Sequence, residues 1–233
     1  MMHRFPIFII GLCAGCLLLG CGEDDVILSP LERLDGASLL GLVNNRTLSY
    51  LQTDTVVSID PVYSVTVTTS SQVIKINGSG SDWVIKDGDN PLINLKLTNE
   101  SVIQNGYWRT VDDHDSLFYF AEPPILMARS LASERSWEGY TPFYETDTSS
   151  LSLLFYYAYF GFHFEKQFVD SVHLLLPAGS FNACRFDVSL FVNPSDTIPV
   201  VRISEYYAPA IGLVKLHLKG GPLSRTLSLV DVS

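Results

Sequence analysis

The feature that most constrains the fold is a two-residue alternation of apolar and polar side chains, which recurs from about Leu39 onwards. In residues 63–68 tyrosine and valine alternate with serine and threonine, and in residues 214–219 valine and leucine alternate with lysine and histidine. Successive side chains of a β-strand point to opposite faces, so this period predicts half-buried strands. The β-branched and aromatic residues at the apolar positions favour the same structure.

Three turn-forming dipeptides separate the predicted strands of the first half of the chain: Asn77-Gly78, Asp87-Gly88 and Asn105-Gly106. Asparagine or aspartate followed by glycine tolerates the positive φ angles of tight hairpins. The dipeptides therefore predict antiparallel pairing of consecutive strands. These strands are expected near residues 72–76, 81–86, 91–98, 101–104 and 107–111.

Residues 121–150 differ from the rest, because Pro123-Pro124 and Pro142 interrupt the alternation and residues 125–131 could form one or two helical turns. A second series of strands is expected near residues 151–165, 168–176, 180–192, 198–207, 211–219 and 223–231. We predict a mainly β protein: a large curved antiparallel sheet or meander, open and barrel-like or a sandwich, with at most one or two short helices. Residues 38–233 would form a single antiparallel β domain, or two lobes with a boundary near residues 121–150.

The first twenty residues have the order of a bacterial export signal, with Arg4 before an apolar run at residues 5–19. The run ends in Leu18-Leu19-Gly20-Cys21, which resembles the bacterial lipobox. The resemblance implies cleavage before Cys21 and a diacylglyceryl thioether on its sulfur. Two alternatives remain: an ordinary secretory signal cut elsewhere, and a transmembrane anchor, for which the run is short of the ~20 residues required.

Residues 21–37 are predicted to be a flexible tether, because they contain the charged run Glu23-Asp24-Asp25 and the breakers Ser29-Pro30 and Asp35-Gly36. Stable anchoring takes at least two acyl chains, which a fully acylated Cys21 would carry. Gly22 follows Cys21 in place of the aspartate that retains lipoproteins in the inner membrane. We therefore expect a lipid-anchored protein of the bacterial cell envelope, in the outer membrane, on its periplasmic face or at the cell surface.

The charge balance bears on the partners of the chain. With 15 basic and 25 acidic residues and a net charge of −10, the chain is a poor ligand for nucleic acid, whose phosphates are bound by lysine and arginine. No nucleic-acid partner is predicted.

Cysteine usage predicts a fold without an intrachain disulfide. Cys13 and Cys16 lie in the predicted signal and Cys21 is the predicted lipidation site, so Cys184 has no partner. Cys184 shares a strand face with Phe186 and is expected to be a small core residue and not a nucleophile.

The most unusual segment is residues 151–164, where aromatic side chains occupy both faces of a predicted strand. A central strand buried on both sides would explain this composition through packing alone. The wall of an apolar ligand cavity is a second interpretation, and an exposed patch for another protein is a third. The candidate ligand-binding residues of the cavity interpretation are Phe155, Tyr157, Tyr159, Phe160 and Phe162.

Motifs for metal binding and catalysis are few. Asp112, Asp113 and Asp115 offer the oxygen ligands that Ca²⁺ prefers, but the run lacks the spacing and the glycine of a calcium loop. The histidines lack a zinc-binding spacing, and no nucleophile elbow, phosphate loop or dinucleotide fingerprint occurs. No metal or other cofactor is predicted. Glu138 and Glu205, each beside an aromatic residue, are the candidate carboxylates for a glycosidase.

Two C-terminal segments resemble a pattern in uncharacterised bacterial lipoproteins: residues 176–184, Leu-Pro-Ala-Gly-Ser-Phe-Asn-Ala-Cys, and residues 205–215, Glu-Tyr-Tyr-Ala-Pro-Ala-Ile-Gly-Leu-Val-Lys. The resemblance implies a curved antiparallel β protein, in which Pro177-Ala178-Gly179 forms a turn, and it assigns no catalytic residue. Ala210 stands where that family has glycine, so we expect an ordinary φ or local strain there.

Together these features predict a membrane-anchored envelope lipoprotein whose β domain binds an apolar ligand or a protein partner. Two alternatives remain open on the sequence alone: a hydrolase acting on envelope or extracellular glycan, and a structural subunit of a surface assembly. The leading interpretation is a protein without enzymatic activity, although the sequence leaves this question open.

Overall fold

A computed structural model describes residues 34–58, 63–111, 114–132, 134–140 and 163–233. These residues form thirteen strands and the four-residue helix α1 (Gly36–Leu39). The strands are β1 (Arg46–Ser58), β2 (Ser64–Ser79), β3 (Asp82–Asp87), β4 (Asn90–Leu97), β5 (Ser101–Val111), β6 (His114–Tyr119), β7 (Ile125–Ala128), β8 (Ser136–Tyr140), β9 (His163–Leu176), β10 (Gly179–Phe191), β11 (Val201–Ala208), β12 (Gly212–Gly220) and β13 (Leu223–Val232). The predicted mainly β fold class is confirmed. No helix in the described part is long and apolar enough to cross a membrane.

The strands belong to one antiparallel sheet in which most strands pair with their neighbours in the chain. The order across the sheet is β6-β5-β4-β3-β2-β1-β13-β12-β11-β10-β9-β8, and β7 pairs with β5 beside this path. The first and last strands, β1 and β13, pair in the middle of the order and join the two series of strands. The sheet is open: over the described ranges, β6 and β8 lie at its two ends.

The core lies on one face of the curved sheet. In β10 the side chains of Phe186, Val188 and Leu190 are buried, whereas the residues between them are partly exposed, as the alternation predicts. Cys184 lies on the same face and is 3% exposed. Buried residues of both strand series belong to a single hydrophobic cluster, so the curvature of the sheet brings the two series around one core.

Helix α1 packs on this core through Leu39, which is fully buried. Asp35 caps the helix by accepting a hydrogen bond of 3.1 Å from the backbone N–H of Ala37, and its carboxylate also accepts one of 3.0 Å from Nη2 of Arg129. Residues 35–37, the end of the predicted tether, therefore belong to the folded unit. Cys21 and tether residues 22–33 lie outside the described residues.

The helix predicted at residues 125–131 is wrong, because residues 125–128 form strand β7. This strand pairs with β5, Met127 opposite Val102, and both residues are fully buried. The preceding Pro123-Pro124 disfavours a helical start at its first proline and leaves the chain extended. Pairing with a strand distant in sequence overrode the local helical tendency.

Two of the three dipeptides predicted to form turns lie inside strands. Asp87-Gly88 does begin the β3–β4 turn, but Asn77-Gly78 lies inside β2, where a Cβ on Gly78 would collide with the backbone oxygen of Asp82. Asn105-Gly106 lies inside β5 at a register shift against β4, where Asn105 is the extra residue of a β-bulge. Gly78 allows β3 to approach β2 closely, and Gly106 lies next to the bulge in β5. The chain turns at residues outside these two dipeptides.

The strand predicted at residues 63–68 is confirmed as the start of β2, but its predicted half-burial is wrong, because the alternation there does not correspond to burial. Tyr63, Val65 and Val67 are 70%, 50% and 60% exposed. Strand β2 pairs with β1 from Ser64 onwards, but β3 joins it only at Ile74. Within the described ranges the first half of β2 is therefore an edge strand, and residues 64–71 are exposed on both faces.

Candidate functional site

The residues predicted to carry function fall mostly outside the described ranges. Cys21, the aromatic residues Phe155, Tyr157, Tyr159, Phe160 and Phe162, and the acidic residues Asp112 and Asp113 all lie there. Asp115 is described: it is exposed on β6 and accepts a hydrogen bond of 2.9 Å from the hydroxyl of Thr110. These site predictions stay predictions.

β6 and β7 both pair with β5 at one end of the sheet, and β8 forms the other end. The two ends face one another at a gap between β7 and β8, which we call the seam. Two side chains cross it in place of a backbone ladder. Nε1 of Trp137 on β8 donates to the carbonyl oxygen of Ile125 on β7 at 3.1 Å, and Nζ of Lys166 on β9 donates to the carbonyl oxygen of Leu126 at 3.1 Å. Side-chain donors thus satisfy carbonyls of β7 at the seam, as buried backbone oxygens require.

At one end of the seam the two sides separate and form the seam cleft, with a volume of about 540 Å³. Its aromatic and apolar lining comes from both sides of the seam: Tyr119, Phe120, Pro123, Pro124 and Ile125 from the β6–β7 side, and Tyr140 from β8. Tyr140 and His163 are paired across β8 and β9. The cleft also contains Glu122 and Glu138, and no lysine or arginine is among the described residues that line it.

Behind the seam lies a buried ion pair between Lys166 and Glu205. Their side chains are 2% and 1% exposed, and Nζ lies 2.6 Å from Oε2 of Glu205. Nζ also lies over the rings of Trp137, Phe186 and Tyr207 at 5.7, 5.4 and 5.2 Å. Charge and aromatic faces together compensate the ammonium group for the water that it has lost.

Two groups hold the carboxylate of Glu205, namely the ammonium of Lys166 and the hydroxyl of Tyr207. Its Oε2 also accepts a hydrogen bond of 3.1 Å from the hydroxyl of Tyr207. Glu138, the other carboxylate of the predicted glycosidase pair, is largely exposed and faces His163 and Glu165. The two carboxylates therefore lie in different surroundings, one enclosed with a lysine and one at the surface.

The buried pair was missed at the sequence level, although a signal exists. Lys166 lies between Phe164 and Phe168 at an apolar position of the alternation, and Glu205 lies between Ile203 and Tyr207 in the same way. A charged residue on an apolar strand face, matched by an opposite charge on another, is the pattern of a buried pair. Which two strands bring the charges together depends on the sheet order, which the alternation does not specify.

Cys184 is buried, as expected of a core thiol. Burial raises its pKa above the ordinary value, and a weak contact with the hydroxyl of Ser171 at 3.9 Å offsets this effect in part. A raised pKa keeps the sulfur protonated near neutral pH, which is unfavourable for a nucleophile.

The C-terminal pattern serves the packing of α1. Ala210 has a φ of +61°, so the strain expected at this position is present. Its backbone N–H donates to the carbonyl oxygen of Ser38 at 2.9 Å, and the guanidinium group of Arg46 donates to the carbonyl oxygens of Ala210 and Ile211. The turn predicted at 177–179 lies at residues 177–178, and Gly179, the first residue of β10, has a φ of +134°.

A second surface feature is the open edge of β2, residues 64–72. In the described part of the chain no strand lies beside this edge opposite β1. The segment contains valine, threonine, serine and glutamine, and it has no charged residue and no proline. Charged residues and proline usually protect natural edge strands, because an unprotected edge pairs readily with another strand.

No model of a known protein family matches the sequence, and no curated protein matches it. Among solved structures, a proposed lipoprotein from Parabacteroides distasonis is similar, with 10% identity, a TM-score of 0.39 and coverage of 86% of this chain and 99% of that chain. A β-barrel-like protein of the domain of unknown function DUF1849 from Brucella abortus has 10% identity, a TM-score of 0.43 and coverage of 82% and 98%. A proposed exported protein with a YmcC-like fold from Bacteroides fragilis has 12% identity, a TM-score of 0.34 and coverage of 82% and 96%. These similarities assign no function or site to this chain, and the C-terminal family resemblance stays a prediction.

Proposed function

We propose that this chain is a lipid-anchored protein of the bacterial envelope whose β domain binds an apolar ligand in the seam cleft. The observation that carries the proposal is the cleft itself, a concave site of about 540 Å³ with aromatic and apolar walls. Ligand pockets are typically about 300–1,000 Å³ and are lined mainly by apolar and aromatic side chains.

The charge of the cleft narrows the class of ligand. Glu122 and Glu138 are its charged lining residues, and the whole chain has a net charge of −10. A ligand with an anionic head group would therefore be repelled, whereas a neutral or cationic head group is compatible with these carboxylates. Aromatic rings also attract cations. The proposed ligand is an apolar chain or ring system with a neutral or cationic polar group.

Two sequence features support the proposal independently of the cleft. The lipobox-like segment ending at Cys21 and the tether after it would hold the β domain near a membrane, where apolar molecules are abundant. The five aromatic residues predicted to form an apolar wall fall in sequence between Tyr140 and His163, the paired residues that flank them.

Photoaffinity labelling tests the proposal on the full-length protein in bilayer nanodiscs. A diazirine-bearing alkylamine is expected to label peptides containing residues 119–125 and 138–140, and the alkylcarboxylate of equal length to label them less. Tyr119→Ala should lower the labelling several-fold, whereas Tyr63→Ala, which removes a similarly exposed tyrosine (67% and 70% exposed) on the open edge side, should not. Labelling that is absent, or equal in both variants, contradicts the proposed cleft.

Mass spectrometry of the N-terminal peptide tests the anchor. A mature chain beginning at an acylated Cys21 is expected, and conversion of Cys21 to serine should abolish acylation. An unmodified Cys21, or a chain retaining its first residues, contradicts a lipid anchor while leaving the cleft proposal intact.

The open edge of β2 favours a second function, edge-to-edge pairing with another copy of the chain. An uncharged, unprotected edge with alternating valine and threonine is well suited to strand addition. Because residues 64–72 carry no charge, two antiparallel copies would meet without electrostatic repulsion. Sedimentation analysis should show dimers that Val67→Lys dissociates and Val67→Thr retains. A monomeric wild-type protein excludes this function.

A further inference from the structure

We propose that Glu138, His163 and Glu165 form a binding site for a divalent metal ion, specifically Zn²⁺, on the outer face of β8 and β9. Nε2 of His163 lies 3.7 Å from Oε2 of Glu138 and 3.9 Å from Oε1 of Glu165. The three potential ligand atoms all lie within 4.8 Å of one another. One imidazole nitrogen and two carboxylate oxygens are a donor set that zinc uses in proteins.

The histidine is fixed in place and presents one nitrogen to the two carboxylates. Its side chain is 8% exposed, and the ring packs against Tyr140 and Phe191 at centroid distances of 5.4 and 6.0 Å. Nδ1 is buried and has no hydrogen-bond partner among the described residues. Nε2 is thus the nitrogen that faces the carboxylates, at distances beyond those of a hydrogen bond.

The strand register gives a second reason for a cation between these residues. Glu138 lies directly opposite Glu165 in the β8–β9 pair, and like charges directly opposite on antiparallel strands destabilise the pair. The adjacent Lys166 does not relieve the repulsion, because its ammonium group is buried with Glu205 on the opposite face. A divalent ion between the carboxylates would convert the repulsion into attraction.

The geometry needs only a small adjustment to accept the ion. Zinc binds nitrogen and oxygen at about 2.0–2.2 Å, which places its tetrahedral ligand atoms ~3.3 Å apart. The carboxylates are 73% and 58% exposed, so these side chains can move inward while the buried imidazole stays fixed. Three protein ligands leave one position of a tetrahedral ion for water.

Sequence reasoning missed this site because its residues do not form a motif. His163 and Glu165 are two residues apart on β9, whereas Glu138 is contributed by β8. The spacing of His163 and Glu165, and their distance in sequence from Glu138, both differ from those of a helical or loop zinc motif. The site depends on the pairing of β8 with β9. It shares Glu138 with the lining of the seam cleft, whereas Glu165 belongs to the metal site alone.

Isothermal titration calorimetry with ZnCl₂ on untagged, full-length, chelator-treated protein tests the site. The expected result is a saturable site of one ion per chain with micromolar or tighter affinity. Glu165→Gln, which changes a largely exposed side chain, should weaken this site at least ~30-fold, and His163→Gln should abolish it. Two control variants should retain wild-type affinity. His173→Gln removes an exposed histidine of the same strand, and Glu100→Gln removes an exposed glutamate elsewhere.

Because His163 is buried, its variant is interpreted only alongside the circular dichroism spectrum, and Glu165→Gln decides the case. Substitution with Co²⁺ gives an independent signal, since a visible absorption band of a tetrahedral ion should appear in the wild type and be lost in Glu165→Gln. The proposal is overturned if no zinc binds. It is equally overturned if Glu165→Gln binds zinc like the wild type, as expected for ions held elsewhere on this acidic chain.

Discussion

The first half of β2 and strand β10 have the same alternating sequence pattern and opposite structural roles. In residues 64–71 of β2 every side chain is exposed, whereas in β10 Phe186, Val188 and Leu190 are buried at 0–1% exposure. β10 has β9 and β11 on its two sides. The described part of the chain gives the first half of β2 only β1.

This difference shows that alternation specifies a strand, while burial depends on the neighbours that the strand acquires. A valine on an isolated edge strand gains little from removal of water, because no second layer covers it. Strands with a neighbour on each side, such as β10, therefore contribute more to stability than residues 64–71 of β2, which lie exposed.

The largest loss of stability is expected from Lys166→Met, which breaks the buried ion pair with Glu205. Removal of the ammonium leaves Glu205 buried without its partner, which costs about 3–5 kcal/mol in proteins. The measurement is the free energy of unfolding from urea denaturation.

The matched control is Lys75→Met, which removes the lysine of an exposed pair. Lys75 Nζ lies 2.6 Å from Oδ1 of Asp89, the same distance as in the buried pair, but the two side chains are 37% and 91% exposed. Its loss should leave the urea midpoint nearly unchanged, because exposed ion pairs contribute little. Equal destabilisation by the two substitutions would contradict the claim that burial decides how much an ion pair contributes to stability.

A smaller effect is expected from one chemical change made in both regions. Val188→Ala in β10 should destabilise the protein by about 2 kcal/mol, since it deletes two buried methyl groups at a residue 1% exposed. Val67→Ala, at a residue 60% exposed, should stay within about 0.5 kcal/mol. Thermal or urea unfolding checks both values, and a larger loss at Val67 would mean that the open edge is covered in solution.

The smallest effect is expected at the strained turn between β11 and β12. Ala210→Gly should stabilise the protein by about 0.5–1 kcal/mol, because glycine adopts positive φ without the penalty of a Cβ. Ala178→Gly, in a turn whose residue does not have positive φ, should instead destabilise it slightly. A lower melting temperature for Ala210→Gly would show that the Ala210 methyl group contributes more than its backbone strain costs.

Local patterns predicted much of the fold, because the information for each strand lies within a few residues. The alternation gave correct strands at β10 and β12, and Asp87-Gly88 marked a real turn. Asn105-Gly106 misled because the same dipeptide suits a bulge, and only the register against β4 distinguishes the two. Residues 125–128 misled because their partner, β5, begins 24 positions earlier at Ser101.

The candidate sites were less predictable, because they arise from contacts between distant strands. The seam cleft joins residues near Tyr119 with residues near Tyr140, and the metal-binding group joins Glu138 to His163 and Glu165. Lys166 and Glu205 did carry a local signal, a charge at an apolar strand position. Their pairing became evident only with the sheet order, in which β9, β10 and β11 are consecutive.

Hydrogen-exchange mass spectrometry of the full-length protein in nanodiscs, with and without a long-chain alkylamine, tests the central claim most directly. A ligand in the seam cleft should slow amide exchange in peptides covering residues 119–125 and 138–140, because it excludes water and restrains the walls. Exchange in residues 64–72 of β2 should not change. Protection confined to residues 64–72, or no protection in either region, would contradict a ligand-binding seam.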